Sequence, residues 1–197
     1  MGGFYGSVQV RTTAWAEVKA AVEVVAKQRS IKCLIGPEID GWIGIYQEGN
    51  GQGNSLGHAV ADQLTCDVLQ LLVHDDDVLA YWLWRGRKLA DCYCSAPEFF
   101  SEENPQGGDN RRGDPEQFRP IIGDSADRLA AILSRHEHYT FESERLAKLA
   151  KVLGISTVVL SRRHSSQLTE KHWRSIPTTR ARKDRAACQS TRGHGKS

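Results

Sequence analysis

The stretch LLVHDDDVLAYWLWRG, Leu71 to Gly86, decides how the chain is read. A histidine is followed by three aspartates, then by a run holding two tryptophans and a tyrosine. Aspartate tolerates left-handed backbone, so three in a row read as a hairpin turn. After the turn, alternation places Val78, Ala80, Trp82 and Trp84 on one face of a strand. Leu79, Tyr81 and Leu83 fall on the other. Both faces are apolar, so this strand needs cover on both sides.

The same residues admit functional readings. Several carboxylates beside an imidazole suit a hard divalent cation, which takes many oxygen ligands. In extended chain only alternate residues converge, which leaves Asp75 and Asp77 as metal candidates and sets Asp76 aside. EF-hand spacing is absent. A sheet face carrying aromatics can stack nucleobases. Trp42, Tyr46, Trp82 and Trp84 are the candidate binding rings, without the RNA-recognition signature K/R-G-F/Y-G/A-F-V-x-F/Y.

Working outward, DVLQLLVH before the turn and RKLADCYC after Gly86 read as further strands. FYGSVQVRT alternates and begins the strand set from Phe4. Thr12 or Thr13 caps a helix with Val18, Ala21, Val22 and Val25 in one stripe. IKCLIG is a short strand stopped at Gly36-Pro37, and GWIGIYQE a strand entered through Asp40-Gly41. Ser55 caps a second helix with Leu56, Ala59, Val60 and Leu64 on one side. The order β-α-β-β-α-β with an added hairpin predicts an α+β, ferredoxin-like split βαβ core. Between strand and second helix lies GNGQGN. Its Gly49, Gly51 and Gly53 sit where a glycine loop can cradle phosphate, but they spell neither G-x-G-x-x-G nor a Walker loop.

Residues 101–117 are polar and read as a loop. Two more helices follow. Asp124 or Ser125 opens one, with Leu129, Ile132 and Leu133 inward. Thr140 caps the other, with Leu146, Leu149, Ala150 and Leu153 on one face and a stop at Gly154. They are expected to cover the open sheet face or to form a small subdomain beside it.

From Ser161 periodicity fails, and residues 161–197 read as a disordered basic tail. The tail holds ten Lys and Arg against two Asp and Glu, leaving 16 against 22 in residues 1–160. The overall +2 thus hides an acidic body and a basic tail. Such a tail can bind nucleic acid by charge or an acidic protein; an out-of-frame reading would also give so abrupt a change. Five cysteines without CxxC spacing argue for reduced thiols and a cytoplasmic protein. No apolar run reaches membrane-spanning length, and the N-terminus does not read as a secretory signal.

SVQVRTT, GPEIDGWIGIY and LLVHDDDVLAYWLWRGRKLADCYCSAPEFF resemble strings in a group of uncharacterised bacterial proteins. The resemblance spans roughly residues 1–155. It implies a small α/β domain, found in some cases beside repeat modules, and it carries over no catalytic residue.

The sequence therefore predicts one α+β domain over residues 1–160, with a helical cover over 118–160. No acid, base and nucleophile assemble, and no cofactor is called for. The expected function is a non-enzymatic protein-interaction or regulatory module. The alternatives are nucleic-acid binding through the tail and sheet aromatics, or a divalent-metal or nucleotide site at Asp75, Asp77 and the Gly49–Gly53 loop.

Overall fold

The computed structural model describes residues 3–48, 52, 54–100, 111–155 and 174–176. The chain is a mixed α+β protein. Its elements begin with β1 (Tyr5–Arg11), α1 (Trp15–Arg29), β2 (Cys33–Ile39), β3 (Trp42–Gln47) and α2 (Ser55–Gln63). β4 (Asp67–His74), β5 (Val78–Arg85) and β6 (Lys88–Cys94) follow. Then come α3 (Arg119–Ile122), α4 (Ala126–Leu133) and α5 (Glu142–Leu153), and a three-residue β7 (Arg174–Ile176). The sheet is antiparallel throughout, in the order β6-β5-β4-β1-β3-β2-β7.

Each face has its own cover. On one, Val18, Val22 and Val25 of α1 and Leu56 and Val60 of α2 pack on Val8, Ile35, Ile45, Val68 and Trp84. On the other, Leu129 of α4 and Leu146, Leu149 and Leu153 of α5 pack on Leu69, Leu71, Leu79, Tyr81 and Leu83. The helices of residues 126–153 thus lie across the second face. The four apolar stripes expected from periodicity are the ones turned inward.

The turns follow from local chemistry. Asp40 and Gly41 both take positive φ, 52° and 81°, giving the tight two-residue β2–β3 hairpin. Gly86 and Arg87 repeat this between β5 and β6, at 52° and 73°. Asp75 and Asp76 are also left-handed, and the Asp77 amide donates to the His74 carbonyl at 3.0 Å. HDDD is a hairpin turn.

Several expectations are corrected. β2 does not stop at Gly36-Pro37 but continues to Ile39. The proline is tolerated because the pairing with β3 shifts register between Ile35 and Glu38, where no ladder donor is needed. Ser125 opens α4 as expected, though without a side-chain bond to the helix; Ala14, Asn54 and Phe141 stand at the other N-cap positions in place of Thr12 or Thr13, Ser55 and Thr140, and none bonds its helix through a side chain. Residues 111–113 do not loop away. They line the outer edge of β6, where Cys94 N–H donates to the Arg111 carbonyl and Gly113 N–H to that of Cys92. Of the tail, Arg174–Ile176 pairs with Cys33–Ile35 of β2. The rest of residues 161–197 lies outside the described residues, as do Gly49, Gly51 and Gly53.

Gly57 lets α2 approach the sheet. Its N–H donates to the buried Gln70 side chain at 2.7 Å. A Cβ there would sit 2.5 Å from Gln70 Oε1 and 2.7 Å from the Trp84 ring. Gly57→Val is therefore expected to lower stability by about 1–3 kcal/mol through overpacking. Thermal unfolding measures it, and a midpoint equal to wild type would mean that α2 can shift freely.

Candidate functional site

The four candidate rings do not form one platform. Even-numbered residues of β5 face α1 and α2, so Trp82 and Trp84 lie on that side. Trp84 is buried and stacks on the exposed His58 at a centroid distance of 6.2 Å. Trp82 is half-buried between two apolar clusters. Trp42 and Tyr46 point to the opposite face. Trp42 is 2% exposed; its indole N–H donates to the Leu153 carbonyl at 2.9 Å, and the Arg11 guanidinium lies 5.5 Å from its ring. Tyr46 folds back over Gly44, where a Cβ would be 2.4 Å from its hydroxyl, and meets the Gln9 side chain.

The acidic turn divides its labour. Asp75 and Asp77 are exposed, and among the described residues neither carboxylate has a hydrogen bond or ion pair. Asp76 is tied down. Its N–H donates to the Gly3 carbonyl at 3.0 Å and its carbonyl accepts from Glu142 N–H at 2.8 Å. Its Oδ1 accepts from Ser143 N–H at 2.9 Å. Asp76 thus supplies from across the sheet the cap that α5 lacks locally, a favourable place for a negative charge. Among the described residues no three His, Cys, Asp or Glu side chains converge as a metal site would require.

His74 sits at the centre of a second grouping. Its Nδ1 is 2.8 Å from Gln52 Oε1, and the Gln52 amide donates to the Val73 carbonyl at 3.1 Å. Gln52 thus meets the residue that opens the acidic turn, at one end of the sheet. Phe4 meets the imidazole edge-on at 4.9 Å and Phe99 meets it tilted at 5.0 Å. Both phenyl rings are solvent-facing, 44% and 52% exposed. Phe141, also about half exposed, precedes Glu142, whose N–H donates to the Asp76 carbonyl. A small cleft lined by Gly6, Ser7, Val8, Gln47, Leu56 and Gln70 has room for about one water molecule, far less than a ligand pocket needs.

Two polar networks tie the sheet to the chain that follows it, one part-buried around Asp91 and one buried around Arg145. Tyr81 donates to Asp91 Oδ2 at 2.6 Å, and Asp114 N–H donates to the same oxygen at 3.0 Å. Burial pushes the Asp91 carboxyl above its ordinary range, and these bonds partly offset that. Burial also raises the Tyr81 hydroxyl well up, aided by the Asp91 charge. Arg145, 5% exposed, pairs with Glu142 at 2.9 Å. It also donates to the Tyr93 hydroxyl at 2.9 Å and to the Ile132 and Glu137 carbonyls at 2.7 and 3.1 Å. Its guanidinium lies 4.4 Å from the Tyr139 ring centroid. Burial takes the Tyr93 hydroxyl up to about 12. Glu142 is raised by burial against the opposing pull of Arg145. A buried cation with its donors engaged is a fastening rather than a reactive group.

Sequence reading missed Gln52, Phe4, Phe99 and the Arg145 network. Arg145 carried a signal: positions 142, 145, 146, 149 and 153 form one inward stripe, so both charges lie on the apolar face. The Gln52–His74 contact had none, because the residues are 22 apart and meet only through strand pairing.

No family model, curated protein or solved structure matches the chain. Among the described residues no helix is long and apolar enough to cross a membrane.

Two outcomes are expected. Asp76→Ala should cost about 1–2 kcal/mol through the lost cap, while Asp75→Asn and Asp77→Asn stay within about 0.5 kcal/mol of wild type. Denaturant unfolding checks this; equal costs at the three positions would refute the cap. Asp91 binds its proton more tightly folded than unfolded. Its stabilising contribution is therefore complete below about pH 4 and is lost as pH rises through its raised pKa. Asp91→Asn keeps an acceptor and does not ionise, so its stability relative to wild type should grow from about pH 4 towards neutrality. A pH-independent difference would contradict that.

Proposed function

We propose that the chain is a non-enzymatic protein-interaction module whose docking surface is the end of the sheet around the acidic turn. The observation that carries this is the exposure of Phe4 and Phe99, both packed on His74. Large apolar side chains grouped at the surface favour a partner that covers them. The groups nearest to catalytic chemistry, Tyr81 with Asp91 and Arg145 with Glu142, are already engaged with one another and with backbone.

The reading extends to fold and setting. The neighbours β4-β1-β3-β2, with α1 joining β1 to β2 and α2 joining β3 to β4, support a ferredoxin-like core extended by β5 and β6. We place the protein in the cytoplasm with reduced thiols; Cys33, Cys66, Cys92 and Cys94 form no disulfide among the described residues. The resemblance to a group of bacterial proteins belongs to the same proposal.

A second reading has one observation in its favour. A nucleotide or metal site at the turn would need partners beside Asp75 and Asp77, and the contact of Gln52 with His74 brings one further polar side chain to that end of the sheet. Nucleic-acid binding is left to residues 161–197, since the aromatic candidates divide between two faces.

Selection of a random peptide library on the immobilised chain tests the proposal. Enriched peptides should bind the Phe4→Ser/Phe99→Ser double variant at least tenfold more weakly, while that variant melts cooperatively near wild type. Enrichment indifferent to both phenylalanines would overturn it.

A further inference from the structure

The exposed phenyl rings do not stand alone. They pack on His74, the residue from which the acidic turn begins. The next residue, Asp75, and the third, Asp77, carry exposed carboxylates with no ion pair or hydrogen bond among the described residues. The intervening Asp76 spends its carboxylate on α5 and holds the turn in place. Two exposed phenyl rings therefore pack on the residue that opens a fastened turn bearing two exposed carboxylates, in a body whose residues 1–160 carry 16 Lys and Arg against 22 Asp and Glu. A neutral apolar segment would bury phenyl surface there but desolvate carboxylates without compensation. An acidic segment or a nucleic acid would meet repulsion. A cationic side chain answers both features: aromatic faces attract it through their quadrupole, and carboxylates accept its donors.

We infer that this surface docks a basic segment of a partner protein, with arginine or lysine side chains seated between the Phe4 and Phe99 rings and the Asp75 and Asp77 carboxylates. The inference rests on the docking surface proposed above and names what occupies it. Arginine fits better than lysine. Its planar guanidinium stacks on aromatic rings and engages a carboxylate with two donors at once. Apolar residues beside the cation would cover the remaining phenyl surface. Binding weakens with salt in proportion to its charge component, because the turn is exposed.

Fluorescence anisotropy on the full chain tests this with three labelled peptides: alternating leucine and arginine, leucine and serine, and leucine and glutamate. The leucine–arginine peptide should bind, and added salt should weaken it. Its affinity should fall at least tenfold in Asp75→Asn/Asp77→Asn and also in Phe99→Ser, with melting midpoints near wild type in both. Equal binding to wild type and the asparagine double variant would overturn the inference. If the leucine–serine peptide binds as tightly as the arginine peptide and is lost only in Phe99→Ser, the docking surface stands and the cationic partner falls. If no peptide binds, both fall. Self-association of the chain that disappears in Phe99→Ser would assign the surface to a second copy and would also overturn the inference.

Discussion

Strands β4 and β5 are apolar on both faces, and much of the architecture answers that constraint. Leu69, Leu71, Leu79, Tyr81 and Leu83 look one way; Val68, Val78, Ala80 and Trp84 look the other. A strand exposed on either side would leave several large side chains in water, at about 25 cal/mol for each Å² of apolar surface. Helices α1 and α2 both pack on one face. The second face is closed by helices that follow the sheet in sequence. The chain after β6 must therefore return across the sheet, which explains why residues 111–113 first run along the β6 edge.

Apolar contact alone would leave that returning cover free to slide. Polar ties fix it. Asp76 holds the start of α5 from the hairpin turn, and Trp42 holds its end through the Leu153 carbonyl. Arg145 gathers Glu142, Tyr93 and carbonyls of the α4–α5 connection around one buried charge. Leaving such a charge unpaired would be strongly destabilising, so the network favours a single arrangement of helices over sheet. The middle aspartate of the turn serves structure, while its two neighbours remain available at the surface. That division links packing to the proposed docking surface. The turn is tied to α5 and to Gly3 through Asp76, and a held turn lowers the ordering cost of binding.

The other end of the pairing matters equally. Antiparallel register brings Tyr5 opposite Val73, and so places Phe4 beside His74. Gln52 joins the same end through its bonds to Val73 and His74. Phe99 arrives because the chain stays beside β5 past the end of β6: Ser95 N–H donates to the Leu79 carbonyl. Residues from four separate parts of the chain thus meet around one imidazole. Their exposure is what the antiparallel ladder leaves at its end, beyond the reach of either helical layer.

Local chemistry wrote much of this into the sequence. Asp40-Gly41 and the aspartates after His74 specify turns because short polar or absent side chains tolerate positive φ. The stripes of α1, α4 and α5 are legible because helical periodicity groups the buried residues, and β5 shows its two-sided burial in its own composition. The passage of β2 through Pro37 was not legible, since it depends on a register shift against β3. Nor were the helix caps: Thr140 is the reasonable local choice, but the acceptor that α5 uses comes from Asp76, 67 residues away from Ser143. The four aromatic candidates stand out in the sequence, yet strand parity sends Trp42 and Tyr46 to one face and Trp82 and Trp84 to the other. Sequence determined the elements, because backbone preference and burial period act within a few residues. Tertiary structure alone decided which carboxylate is spent and which phenyl rings meet, because pairing register and layer packing act between residues far apart in the chain.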